Sequence, residues 1–302
     1  MLTYPRLYGR QSARDEENRG YFYMNFGINI LARAASADLR QIARTIEHAG
    51  FDSLFLPEHT HIPVHGDRHA AGSETHDRMK EMPDPYISLT AVAAVTERLL
   101  IGTGISLIAQ HDPIAMAKRI ATIDQISGGR FMLGVGAGWN RSEARDHGVA
   151  AHDRWSVMRE NVLAMKQIWA EDQAAFSGEH VRFDRLWSWP KPFQNPHPPV
   201  IVGGEGPGVL DRVVDYGDMW GPHPVPGILE RIPELQARAS EAGRSTIPVT
   251  LFNVPHDPAL IEDAARAGVE RCVLYIYDDG PESITSQLEA HAAFISLWTQ
   301  RS

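Results

Sequence analysis

The sequence predicts one (β/α)8 TIM barrel of the α/β class, with insertions after strands 2 and 4, and three observations predict it. Short apolar runs alternate with helix-period segments through eight units, as strands and crossover helices do in a parallel barrel. Asp-Pro pairs and glycines punctuate that alternation at helix starts and stops. The repeating part, residues 24–302, has the length of one barrel with insertions, and residues 1–23 read as a polar extension outside it.

Residues 25–30 read as the first strand. Ser36 is placed to cap a helix whose Leu39, Ile42, Ala43 and Ile46 fall at helical spacing, and Gly50 ends it. Strand 2 covers 51–56. Asp84-Pro85 opens the next helix, because the Asp side chain accepts free N–H groups of the first turn and proline fits its first position. Strand 3 lies at 99–107, and Asp112-Pro113 repeats the device for a helix with Met116, Ile120 and Ile123 on one side, closed by Gly128. After strand 4 at 131–135, a helix over 153–169 aligns Trp155, Met158, Val162, Met165 and Trp169 on one face. The Pro- and aromatic-rich stretch 176–199 breaks the rhythm and reads as a hairpin or lid, with Leu186, Trp187, Ser188 and Trp189 walling the site. Strands at 200–202, 218–221, 248–253 and 273–277 alternate with helices at 207–216, at 227–242, from Asp257-Pro258, and to Trp298.

Charge and composition exclude several classes. With 29 basic and 38 acidic side chains the net charge is -9, and no Lys or Arg run tracks a phosphate backbone, so nucleic acid is not the main partner. The longest apolar stretches, such as 87–95, are too short to span a membrane. Residues 1–23 lack the basic start and apolar centre of a signal peptide. Cys272, the single cysteine, sits in an apolar run and reads as a core hydrophobe, which with the absence of disulfides points to the cytoplasm. Leu288, Ile295 and Trp298 of the last helix serve either a homodimer or ordinary barrel packing.

Chemistry in a barrel gathers where the chain leaves the C-terminal ends of the strands. The second exit reads Pro57-Glu58-His59-Thr60-His61, with His65, His69 and His76 further along the same loop. A His directly after a strand suits proton transfer, since its ordinary pKa lies near neutrality. His59-x-His61 also matches the pattern of a barrel metallohydrolase; the fourth exit carries no Lys, Cys or His to complete it, although His223 and Asp278 stand after later strands, and no metal ligand is assigned. The third exit, Gly102-Thr103-Gly104-Ile105-Ser106, marks a bulge or a close approach by a ligand. The fourth, Gly134 to Asn140, reads as a flat floor for a planar ring or as a tight corner. The fifth, Gly203-Gly204-Glu205-Gly206-Pro207-Gly208, runs into a helix whose free N–H groups suit a phosphate.

These residues, with Asp112-Pro113, Ala117-Lys118, Ser127-Gly128-Gly129-Arg130, Gly134-Val135-Gly136-Ala137-Gly138-Trp139 and Gly217-Asp218-Met219-Trp220, resemble the bacterial luciferase-like monooxygenase superfamily, and within it the coenzyme F420-dependent oxidoreductases. The resemblance implies that Glu58 and His59 form an acidic-His pair beside the reacting edge of the cofactor. It implies a cis peptide at Gly104-Ile105 behind the ring, with Ser106 adjoining, a polar contact from Asn140, and phosphate binding by Gly203, Gly204, Glu205, Gly206, Pro207 and Gly208. Trp139 stands where the sugar-phosphate dehydrogenases of the superfamily carry a catalytic Glu, which argues against that activity.

The expected reaction is hydride transfer between C5 of F420 and a small organic substrate, with His59 exchanging the proton. The alternatives are FMN with true monooxygenation and a partner flavin reductase, a metal-dependent hydrolase, or a non-catalytic cofactor-binding protein. Tyr275 or Tyr277 is expected near the last exit.

Overall fold

In the computed structural model, which describes residues 24–33, 38–67 and 77–299, the apolar runs become strands wherever helices cover them. The chain runs β1 (Asn25–Leu31), α1 (Leu39–His48), β2 (Ser53–Leu56), α2 (Pro85–Ala93), β3 (Leu100–Thr103), α3 (Pro113–Ser127) and β4 (Phe131–Val135). It continues with α4 (Arg141–Asp146), α5 (Arg154–Ala170), β5 (Ala174–Ser177), β6 (Arg182–Leu186), β7 (Val200–Gly203), α6 (Val209–Tyr216) and β8 (Met219–Gly221). Last come α7 (Ile232–Glu241), β9 (Thr250–Val254), α8 (Pro258–Arg266), β10 (Arg271–Tyr277) and α9 (Pro281–Thr299).

Eight strands pair in the order β8-β7-β4-β3-β2-β1-β10-β9. A parallel bridge between Trp220 and Val249, with Trp220 N–H donating to Pro248 O at 3.0 Å, closes the ring. The fold is the expected (β/α)8 barrel.

The Asp-Pro devices act as read. Asp84, Asp112 and Asp257 accept from the N–H groups of Ile87, Ala115 and Ala259 at 2.9, 2.8 and 3.0 Å, filling donors that a helix start leaves open. The cap assigned to Ser36 lies outside the described residues; Asp38 accepts from Arg40 N–H at 2.9 Å instead. Strand 3 is shorter than predicted and stops at Thr103, where Gly104-Ile105 leaves the ladder. The helix expected from Pro207 starts at Val209, because Gly208 occupies the cap with φ 73°. α4 has no counterpart in the sequence reading; Asn140 caps it by accepting from Ser142 and Glu143 N–H, both at 3.1 Å.

Buried charges hold the frame. The Arg130 guanidinium donates to the carbonyls of Ala93, Thr96 and Leu99, to Thr96 Oγ1 and to Ser127 O, at 2.7 to 3.0 Å. It thereby ties the ends of α2 and α3 to the start of β3, satisfying carbonyls that would otherwise be orphaned. Inside the barrel, Arg271 pairs with Asp52 at 2.7 Å near the strand starts. Above them Phe55, Met132, Ile201, Met219, Phe252 and Val273 fill the interior, with the Phe55 and Phe252 rings edge to face at 5.0 Å. A Cβ on Gly102 would meet the Phe55 ring at 2.8 Å, so that glycine makes room for a core side chain and not for a ligand.

The aromatic stretch does not wall the site. β5 and β6 form an antiparallel hairpin beside α5. The segment after them is tied to the start of β4 by Gln194, which donates to Phe131 O at 2.7 Å and to Asp124. Trp187 and Trp189 stand exposed, outside the mouth, because these anchors hold the segment at the opposite end of the barrel. Leu288 and Trp298 are buried against the barrel, and Ile295 packs on its core, so these positions serve barrel packing. Cys272 is fully buried, and burial pushes its thiol up to about 12. Among the described residues no helix is long and apolar enough to cross a membrane.

Candidate active site

A cavity of about 860 Å3 opens at the C-terminal ends of the strands. Glu58, His59, Gly104, Ile105, Gly203, Gly204 and Glu205 line it; Ser106, Asn140, Gly206, Pro207 and Gly208 do not.

Its floor is built around Ile105. The peptide between Gly104 and Ile105 is cis. Gly104 N–H donates to Leu56 O at 2.9 Å, Glu58 N–H donates to Ile105 O at 3.2 Å, and Asn29 Nδ2 donates to Gly104 O at 3.3 Å. The glycines of the fourth exit, expected as a floor for a planar ring, lie under this isoleucine. A Cβ on Gly136 would sit 2.0 Å from Ile105 Cδ1, and one on Gly203 would sit 3.1 Å from it. The side-chain-free positions therefore accommodate Ile105, and Ile105 presents the surface.

Glu58 and His59 are neighbours in sequence with different duties. The Glu58 carboxylate accepts from Ser106 Oγ at 2.6 Å, Leu107 N–H at 2.7 Å and His111 Nε2 at 2.8 Å, and Tyr86 O–H in turn donates to Ser106 Oγ at 2.5 Å. Burial alone would raise its pKa, but the hydrogen bonds from His111, Ser106 and Leu107 outweigh burial and hold it below the usual range. Glu58 and Ser106 are thus braces beneath the third exit. Asn140, expected at the ring, gives its Oδ1 to the α4 cap and does not line the cavity, while its Nδ2 is buried without a partner.

His59 faces the cavity between two partners that sequence reading did not assign. Its Nδ1 lies 2.7 Å from Oε2 of Glu143, a fully buried carboxylate on α4. A carboxylate only accepts, so Nδ1 carries the proton. Nε2 then accepts from the Trp139 indole N–H at 3.2 Å. The imidazole is neutral, in one tautomer, with its lone pair toward Trp139. Protonation at Nε2 requires that the indole N–H move away.

α4 brackets the described start of the second exit, residues 59–67. Besides His59, Glu143 accepts from Thr60 N–H at 3.0 Å, Asp146 lies 3.2 Å from His61 Nε2, and Asp67 accepts from Arg141 N–H at 2.9 Å. His59 and His61 thus turn to different carboxylates. Among the described residues no group of three or more His, Cys, Asp or Glu could hold a metal ion. His69 and His76 lie outside the described residues. The acidic positions of a short helix five residues past a glycine run were the available signal for Glu143, and only the fold brings it to His59.

The fifth exit supplies backbone and, from other elements, cations. Gly204 has φ 118°, which a side chain resists. The Glu205 carboxylate turns to His223, accepting from its N–H at 2.8 Å and its Nδ1 at 2.7 Å; burial raises its pKa, but these bonds outweigh that and lower it. Only the Glu205 backbone suits an anion. Arg212, on the first turn of α6, and Arg154 flank the Trp155 ring at 3.9 and 5.5 Å, and the Nε of each is buried without a partner. Asn29 Oδ1 is a further buried acceptor without a partner, on the cavity lining. These orphaned atoms and the Ile105 surface fit a planar, phosphate-bearing cofactor.

At the β9 and β10 exits, Tyr275 and Tyr277 line the cavity, as do His256 and His291.

The chain is 36% identical over 280 residues to an uncharacterized protein of Mycobacterium bovis, covering 89% of this chain and 98% of that one. An FMNH2-dependent dimethylsulfone monooxygenase of Pseudomonas putida is 34% identical over 183 residues, 59% of this chain and 49% of that protein. Among solved structures, an F420-dependent secondary alcohol dehydrogenase in complex with an F420-acetone adduct superposes with TM-score 0.69 at 20% identity, covering 88% of this chain and 97% of that one. The luciferase-like monooxygenase model matches residues 24–284, and the chain belongs to that family of oxidoreductases.

Proposed function

We propose that this protein is an F420-dependent oxidoreductase that transfers a hydride between deazaflavin C5 and a small, uncharged organic substrate. The observation that carries the reading is His59, a neutral imidazole set in one tautomer by buried Glu143 at the mouth of the cavity. When bound, the deazaflavin supplies the hydride chemistry. The Ile105 surface would back its ring, Asn29 Oδ1 would accept from a donor on it, and the backbone at Gly203 and Gly204 would hold its phosphate, with Arg154 and Arg212 adding positive charge from beside the lining Trp155. His59 takes the substrate proton at Nε2 once the Trp139 N–H gives way, and Glu143 then pairs with the imidazolium.

No Lys or Arg is among the described residues that line the cavity, which supports an uncharged substrate. The family membership supports either F420 or FMN, and the 34% identity to an FMNH2-dependent enzyme favours FMN with a partner reductase as the second reading. Among the described residues a hydrolase reading has no ligand set in its favour.

The test is anaerobic incubation of the protein with oxidised F420 and a panel of small alcohols, or with reduced F420 and carbonyl compounds, following the visible deazaflavin absorption. Turnover that is lost in His59→Asn supports the reading; absence of any absorption change across the panel, with reduced FMN plus oxygen active instead, overturns it.

A further inference from the structure

Three strand positions round the ring from β2, a second pair of imidazoles stands at the cavity wall. His256 follows β9 and is exposed, while His291, on α9, is only 8% exposed. His291 Nε2 lies 3.1 Å from Tyr275 O. A carbonyl only accepts, so that nitrogen carries the proton and Nδ1 of His291 is an acceptor. Nε2 of His256, 2.5 Å away, must therefore be the donor. One backbone carbonyl polarises the whole chain, and its outward end is the lone pair on His256 Nδ1, for which the described residues supply no partner.

The surroundings define what could meet that lone pair. The His256 ring lies flat on Phe294, with centroids 4.6 Å apart and an interplanar angle of 15°. Tyr275 and Tyr277 continue the aromatic wall, their rings edge to face at 4.7 Å. Burial keeps His291 uncharged at neutral pH, its pKa lowered to about 4. The wall thus offers one uncharged hydrogen-bond acceptor beside aromatic faces. An O–H on an apolar body matches it. An ether has no hydrogen to give, and a carboxylate would set its own lone pairs against Nδ1.

We propose that His256 Nδ1, held in its tautomer by His291, is the hydrogen-bond acceptor of a substrate subsite for a second, non-reacting hydroxyl, distinct from the group whose proton passes to His59. The proposal rests on the oxidoreductase reading and names its substrate class. His291 is the positioning residue, since it reaches the ligand only through His256.

The test uses the full chain labelled with 15N-histidine, without cofactor and then with F420, titrated with cyclohexanol and with its methyl ether. His256 should show a protonated Nε2 and a bare Nδ1 before any addition. Cyclohexanol should move the Nδ1 resonance and the ether should leave it in place. His256→Phe should weaken cyclohexanol binding about fivefold, to the level of the ether, the worth of one net neutral hydrogen bond. His291→Gln, which keeps a donor and an acceptor, should preserve the His256 tautomer, and His291→Phe should mix it. Equal responses to alcohol and ether, or a protonated Nδ1 in the free protein, overturn the proposal. Cofactor fluorescence in the same samples reports separately on the oxidoreductase reading, because the His256 response is also read without cofactor.

Discussion

His59 shows how a single imidazole is held in one orientation by groups it meets only in the fold. Glu143 fixes the proton on Nδ1 and Trp139 occupies Nε2, so both ring nitrogens are engaged, and the proposed base action requires that the indole give way. Glu143→Gln keeps an acceptor near Nδ1 but loses the charge that stabilises the imidazolium. Turnover should fall about 10²-fold, in the range of positioned acid–base groups, while cofactor affinity measured by fluorescence titration stays constant. Equal losses in both would instead make Glu143 a brace of the cofactor site.

His291 makes a different residue-level prediction. Its pKa in the folded chain is lowered to about 4 by burial, against about 6.5 when unfolded. Between those values the unfolded chain binds more protons, so stability from this group is complete above about pH 6.5 and is lost as the pH falls to about 4. The loss is at most about 3 kcal/mol. Urea midpoints of wild type and His291→Gln should converge as the pH falls from 7 to 4; parallel curves would contradict the burial argument. Of the individual site residues, His59 and the Gly104-Ile105 pair were legible in the sequence, because both sit at a strand exit with recognisable neighbours. Glu143, Trp139, Asn29 and the His256–His291 pair were not, since their partners lie 35 to 224 positions away in the chain.

At the scale of elements, the glycine runs carry most of the sequence signal, and packing separates their roles. Gly134 and Gly136 lie against Thr103 and Ile105, whereas a Cβ on Gly206 would meet nothing within 4 Å. A Cβ on Gly134 would come 2.1 Å from Thr103 O, a backbone atom that cannot step aside. Gly134→Ala should therefore cost about 3 kcal/mol or more of stability, and Gly206→Ala within about 0.5 kcal/mol, measured by urea unfolding. Similar values for the two would remove the packing explanation. The Asp-Pro helix starts were legible because cap and helix are contiguous. α4 was missed because six residues carry too little periodicity to register. The aromatic stretch was misplaced because exposed tryptophans look alike at either end of a barrel, and only the anchors to Asp124 and Phe131 settle which end.

At the scale of the molecule, eight alternations sufficed to read the barrel, and the barrel rule sufficed to place the site at the strand exits. Net charge misleads here. The chain carries -9, yet Arg154 and Arg212 gather on Trp155 beside the fifth exit, a local concentration of positive charge on an acidic protein. Two arginines 58 positions apart give no local signal, so only the backbone N–H groups of the fifth exit are legible in the sequence as phosphate donors.

A deazaflavin site in the cavity over Ile105 is tested most closely by a fluorescence titration of the purified protein with F420 and, separately, with FMN. F420 should bind saturably at one per chain, be displaced only weakly by FMN, and bind more weakly when Arg212 is replaced by Ala. Preferential binding of FMN, or binding of neither, would contradict a deazaflavin site.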